Sequence, residues 1–287
     1  MRCTTKIVLG IIGFVFAFSI IVIMYAAITF DREAIRSWQN DRHSTRFRSY
    51  DIPQEDMKSF DLSSFGVVVV KIDENAPVNG EKRVEGNIVL APAKSKGDKN
   101  QLAFTNNISP YVNYEMAGDT LNIRLKHGDI YKAYADSIGE WDSFVRGVTL
   151  TLSINNTNIQ IISEIPRFGV VANEMEMDKL SVLANECSIV IQESKIGELS
   201  ASIFKGGRSG SVYLGKNTIN TFNLDLDNVN NWGVKECQIG TENLTGSGNH
   251  NTQQSKSEAK IVNWIPKHKD ATMNMSLKGD TTRIEFQ

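Results

Sequence analysis

Three cysteines among 287 residues are too few for a disulfide framework, and Cys3 stands ahead of the first apolar run, apart from Cys187 and Cys237. Histidine is also scarce. His43, His127, His250 and His268 are widely spaced, with no second histidine or cysteine at metal-ligand spacing, which excludes a zinc signature. The glycine-rich stretch Gly206-Gly207-Arg208-Ser209-Gly210-Ser211 lacks the Gly-Lys-Ser/Thr ending of a phosphate loop and the Gly-x-Ser-x-Gly spacing of a nucleophile elbow, so it reads as a corner between strands. No excess of positive charge exists either. Only Arg2 and Lys6 precede Asp31, and no acid does, so residues 31–287 carry 29 basic and 33 acidic residues, a net charge of −4. A nucleic-acid partner is therefore not expected, since such a domain displays a basic face.

What the chain does have is an uncharged run from Ile7 to Phe30, which at ~1.5 Å per residue would span about 36 Å as a helix and cross a bilayer. A secretory signal has an apolar region of only about 7–15 residues, whereas this run continues through Tyr25-Ala26-Ala27-Ile28-Thr29-Phe30. A lipoprotein signal would place its cysteine after the run, not before it. The expectation is a short cytoplasmic tail (1–6), an uncleaved transmembrane helix (7–30), a basic juxtamembrane stalk (31–59) and an ectodomain (60–287). Orientation rests on Arg2 and Lys6. They favour a cytoplasmic N-terminus, and long domains translocate largely regardless of charge, despite Arg32, Arg36, Arg42, Arg46 and Arg48 on the far side. Residues 31–287 are accordingly expected outside the cytoplasm, in the periplasm of a Gram-negative cell. The stalk, with Trp38 and Phe47 among its charges, reads as solvated and partly helical, or as an interfacial segment on anionic lipid.

Beyond the stalk the pattern is that of strands. Gly66-Val67-Val68-Val69-Val70-Lys71-Ile72 is a β-branched run too short for a core helix, and further strands read at 87–90, 111–116, 120–125, 147–154 and 159–162. A short helix fits only within 129–144.

The later part repeats. Leu180-x-Val182-x-Ala184, Leu199-x-Ala201-x-Ile203 and Phe222-x-Leu224-x-Leu226 align, as do Ile189-x-Ile191, Val212-x-Leu214 and Cys237-x-Ile239, at spacings of 19 to 25 residues. Alternation places the apolar residues of each strand on one face, and a single rung cannot bury that face alone. Stacking rungs about 4.8 Å apart would bury a continuous column, which predicts an all-β β-solenoid with parallel ladders. An antiparallel meander or sandwich of similar strand spacing is the alternative. In this register Cys187 and Cys237 fall roughly 10 Å apart, two rungs from each other. A disulfide needs Cα atoms within about 7 Å, so two buried thiols without a bridge are expected.

The order of Phe65-Gly66-Val67-Val68-Val69-Val70, Gly118-Asp119-Thr120-Leu121-Asn122-Ile123, Val148-Thr149-Leu150-Thr151-Leu152, the rungs from Leu180 and Leu244-Thr245-Gly246-Ser247-Gly248 resembles the auto-transporter adhesin "head GIN" domain family and related adhesin-like β-strand-repeat domains. The resemblance covers residues 60–250. It implies a single-stranded right-handed β-solenoid in a bacterial, Bacteroides-like envelope protein. An uncleaved anchor departs from the secreted members.

The sharpest carboxylate feature is Asn223-x-Asp225-x-Asp227, whose alternation puts three oxygen-bearing side chains on one outward face. Calcium takes six to eight oxygen ligands, so these three are weak metal candidates, with Glu174, Glu176 and Asp178 as further charge. Trp232, Trp264 and Tyr213 read as core or corner packing, or as a sugar-stacking platform. No catalytic residue and no cofactor are assigned. The expected role is a non-catalytic, membrane-anchored interaction or scaffolding module that binds an envelope protein or glycan. Two alternatives stand beside it: a calcium-dependent polysaccharide-binding or polysaccharide-acting protein, and an accessory or sensor domain of a membrane signalling system.

Overall fold

The structure is a computed structural model that describes residues 49–54, 56–73, 83–93, 95, 98–135, 144–205, 210–257, 259–277 and 283–286. The expected membrane helix at 7–30, the tail and the stalk through residue 48 lie outside the described residues. Among those described, no helix is long and apolar enough to cross a membrane.

The described chain is all-β. Its first part comprises β1 (Ser49–Asp51), β2 (Met57–Leu62), β3 (Val67–Ile72), β4 (Arg83–Pro92), β5 (Asn100–Thr105), β6 (Val112–Ala117), β7 (Thr120–Leu125) and β8 (Phe144–Ile154). A 3-10 turn at Asn106–Tyr111 and one helix, α1 (His127–Ala135), interrupt it. From there the strands follow closely: β9 (Asn158–Ser163), β10 (Phe168–Asn173), β11 (Glu176–Asn185), β12 (Ser188–Gln192), β13 (Lys195–Lys205), β14 (Ser211–Gly215) and β15 (Thr218–Asp225). The chain continues through β16 (Asn231–Lys235), β17 (Gln238–Gly246), β18 (Asn249–Ser257), β19 (Ala259–Pro266), β20 (Thr272–Leu277) and β21 (Arg283–Phe286).

Two large sheets take alternate strands. One runs β16-β14-β12-β10-β4-β8-β5-β2, the other β21-β19-β17-β15-β13-β11-β9-β3-β7-β6, and β18 pairs with β20 in a small third sheet. From β9 onward the strands pair in parallel with the strand two along, as in Leu180↔Leu199↔Phe222 and Ile189↔Val212↔Trp232, except that β16 ends its sheet and β18 starts the small one with β20. The expected parallel ladders do not account for the first part. There β2 pairs with β5, β5 with β8 and β6 with β7, all antiparallel, which makes both large sheets mixed. For β6 and β7 the reason is local: they are joined by the two-residue turn Gly118-Asp119, with Gly118 at φ 62°, and a turn that short can link only antiparallel strands.

Alternation along each strand sends one set of side chains inward. In the first sheet Ile88, Val170, Ile189, Val212 and Trp232 form one buried column; in the second, Ile159, Leu180, Leu199 and Phe222 form another. These columns belong to one continuous core. Fully burying such a side chain contributes about 1.5–3 kcal/mol, the dominant stabilising term here. Glu242 breaks the apolar column: it is fully buried between Phe222 and Val262 in register.

The corners of the stack have their own repeat. Glu174, Glu193, Lys216 and Glu236 hold left-handed φ values of 56°, 51°, 54° and 56°, a conformation side-chain-bearing residues seldom adopt. The next residue at each corner, Met175, Ser194, Asn217 and Cys237, turns inward and is buried. Backbone N–H groups then donate along this column: Met175 N to Ser194 Oγ (3.0 Å), Ser194 N to Asn217 Oδ1 (2.9 Å) and Asn217 N to Cys237 Sγ (3.4 Å). The expected alignment of Cys237-x-Ile239 with Ile189-x-Ile191 is therefore corrected. Trp232-x-Val234 occupies that place, Ile239 starts the next rung of the other sheet, and Cys237 is a corner residue. Cys187 lies before β12, at the opposite end of the rung. The two thiols are buried and form no disulfide, as expected, and burial pushes the Cys187 thiol up to about 12.

Candidate functional site

The outward side chains of the second sheet form registered columns. Gln160, Ser181, Ser200, Asn223, Asn243 and Asn263 stand side by side across β9, β11, β13, β15, β17 and β19. A strand spacing of about 4.8 Å brings neighbouring amides within reach, and the asparagines form a ladder. Asn263 Nδ2 donates to Asn243 Oδ1 (2.7 Å), Asn243 Nδ2 donates to Asn223 Oδ1 (2.8 Å), and Asn223 Nδ2 donates to Ser200 Oγ (3.2 Å) and Glu198 Oε1 (3.3 Å). Lys179 pairs with the same Glu198 oxygen at 3.1 Å. Beside this column a second one contains Leu183, Ser202, Asp225, Thr245 and Ile265. Between them runs an open groove of about 470 Å³.

The three candidate metal residues are thus divided. Asn223 belongs to the amide ladder, whereas Asp225 and Asp227 are drawn together by Lys267. The Lys267 ammonium donates to Asp225 Oδ1 and Oδ2 (both 2.7 Å) and to Asp227 Oδ2 (2.8 Å). Ser247 donates to Asp227 Oδ1 from both its backbone N–H and its hydroxyl, each at 2.8 Å. Partial burial pushes the Asp227 carboxyl up, but Lys267 and Ser247 outweigh it and hold the group down at about 2. Burial likewise pushes the Lys267 ammonium down, and the bonds to Asp225 and Asp227 reverse that and raise it. His250 lies 3.5 Å from Asp227 Oδ1 and edge-on to Trp264, at a ring separation of 6.0 Å. This clamp therefore already contains its cation. Glu176 sits at the start of its strand, whereas Asp225 ends β15; Glu176 is in register with Lys195 and Thr218. Seven residues at ~3.3 Å put Glu176 roughly 23 Å along the strand from Asp225. Among the described residues, no group of three or more His, Cys, Asp and Glu is placed to hold a metal ion.

The aromatic trio is not assembled as a platform. Trp232 and Trp264 are buried, while Tyr213 is exposed on the outer face of the first sheet, its ring beside Gly233. Residues 206–209 of the glycine-rich stretch lie outside the described residues, and Ser211 opens β14.

A second groove, of about 440 Å³, crosses the starts of β8, β4, β10 and β12. There Glu85 receives Arg146 Nε at 3.1 Å and an Arg167 guanidinium nitrogen at 3.3 Å, over Gly86, Gly147 and Gly169. Asn87, Glu186, Cys187 and Ser188 complete its lining. His127, in α1, is a structural group: it is buried and its Nε2 accepts the Val84 N–H at 3.2 Å. Burial lowers its pKa, against the opposing effect of that bond, so the ring stays neutral at pH 7.

Sequence reasoning found the Asn223–Asp227 strand but missed Lys267 and His250. Both come from segments more than twenty residues further on, and neither forms a local motif with the aspartates. The amide ladder was legible only once the register was known, because Asn223, Asn243 and Asn263 share a spacing of 20 residues.

No known protein family matches the chain, and no curated protein does. Among solved structures, a "putative adhesin" from Parabacteroides merdae shares 11% identity, covering 84% of this chain and 99% of its own, with a TM-score of 0.33. A "putative lipid binding protein" from Parabacteroides distasonis shares 8% identity over 84% of this chain and all of its own, with a TM-score of 0.37. A "putative adhesin" from the same organism shares 11% identity over 83% of this chain and all of its own, with a TM-score of 0.33. At these identities and TM-scores, the likenesses assign neither family nor function to this chain.

Proposed function

We propose that the chain is a non-catalytic binding module of the bacterial envelope, held at the membrane by residues 7–30 with its N-terminus in the cytoplasm and residues 31–287 outside it. In this reading β9 to β21 are rungs of a β-solenoid of the adhesin-like kind, and the antiparallel strands β2, β5 and β6 close its first end. The observation that carries the proposal is the amide and hydroxyl ladder on the outer face of the second sheet. It presents hydrogen-bonding groups at a fixed repeat on a rigid support, which suits recognition of an extended partner better than turnover of a small one. The two-aspartate cluster supports this role and not a calcium site, since Lys267 and Ser247 take up its carboxylate oxygens.

The test is sedimentation of the purified full chain, in detergent, with isolated bacterial envelopes. Saturable binding competed by excess unlabelled protein is the expected result. Binding that stays linear with concentration, or is unchanged after heat unfolding, overturns the reading.

A further inference from the structure

We propose that the groove beside the asparagine ladder binds a neutral polysaccharide laid across the strands, with successive sugar units over successive rungs; this rests on the reading of that face as the binding surface. An asparagine amide has two N–H donors and an oxygen with two lone pairs. Asn243 uses one N–H on Asn223 and accepts one bond from Asn263, which leaves one donor and one lone pair for a ligand. Sugar hydroxyls, being both donor and acceptor, complement such a pair, and the rung spacing of about 4.8 Å is comparable with the length of one pyranose unit.

Charge decides the class of polymer. Among the described residues, Asp225 is the one charged residue lining the groove, and it shares Lys267 with Asp227, which leaves the cluster one net negative charge. Among the described residues an acidic polysaccharide or a nucleic acid would find no uncommitted cation in this lining. Leu183 and Ile265 add apolar contact for the C–H faces of sugar rings, with Ile265 36% exposed. A peptide strand is less well served, because the groove lies on the face of a sheet whose backbone groups are already paired between strands.

The experiment measures binding of the full chain, in detergent, to a panel of immobilised neutral polysaccharides (mannan, β-glucan, xylan) and acidic ones (alginate, polygalacturonate). The variants are Ser202→Tyr and Thr245→Tyr. Both positions face outward on strands, where an aromatic residue is well tolerated, so unchanged melting curves will certify folding. The expected result is retention on at least one neutral polymer, insensitive to salt, and weakened about tenfold or more by each variant. Retention confined to acidic polymers, or neutral binding that both variants leave intact, overturns the proposal. If no polysaccharide is retained while envelope binding persists and is lost in Ser202→Tyr, the polysaccharide is wrong and the binding surface stands. If envelope binding is absent as well, both fail.

Discussion

At the scale of single residues, the clearest device is the Lys267 clamp. Lys267 reaches back from beyond β19 to hold Asp225 and Asp227, on the C-terminal side of β15, and so ties two rungs by charge. With the Asp227 carboxyl at about 2 in the folded protein against an ordinary 3.8, the unfolded chain takes up the proton first as pH falls. The clamp's stabilisation is therefore fully present above about pH 4 and is lost between there and about pH 2. Lys267→Met is expected to cost about 1 kcal/mol in urea denaturation at pH 6, a modest value because the three side chains are 24–39% exposed. The gap between variant and wild type should close at pH 2. A gap of equal size at both pH values would show that packing of the lysine stem, and not the charge cluster, is responsible.

At the scale of elements, the rung is the unit, and its corner matters as much as its strands. Asn217 is 1% exposed and serves three neighbours: it accepts from Ser194 N, donates to Ile191 O at 2.8 Å and offers its own N–H to Cys237 Sγ. Asn217→Ala is expected to lower stability by about 2–3 kcal/mol, because the Ser194 N–H would be left buried without its acceptor. Asn220→Ala, two residues into β15 and exposed, should change the urea midpoint little. The strands were legible in the sequence because alternation is a property of adjacent residues: Leu180, Leu199 and Phe222 align in the structure as their spacing indicates. The corners were not, since a left-handed glutamate at Glu193 or Glu236 has no local signature comparable to glycine. Cys237 therefore reads from the sequence as a strand residue, although its small apolar side chain fits a corner column equally well.

At the scale of the whole molecule, stacking converts a weak local pattern into a surface. Each rung contributes one or two polar side chains to the outer face, and only the register of six strands makes Asn223, Asn243 and Asn263 a ladder and the space beside them a groove. The opposite sheet shows the same principle with different content. Its outer face carries Val171, Val190 and Tyr213 in one column and Asn173, Gln192 and Gly215 in the next, and among the described residues no amide ladder forms there. The antiparallel strands at the first end have a role that repeat spacing could not reveal, because β2 and β6 end the two sheets, where a further parallel rung would otherwise be exposed to pairing.

The central claim is that binding runs through the outer face of the second sheet. The most direct measurement compares envelope binding of the full chain carrying Ser202→Tyr, in the groove, with one carrying Gln192→Tyr, on the outer face of the first sheet. The account predicts that Ser202→Tyr weakens saturable binding about tenfold while Gln192→Tyr leaves it unchanged. Loss with Gln192→Tyr and none with Ser202→Tyr would contradict it and place the partner on the other sheet.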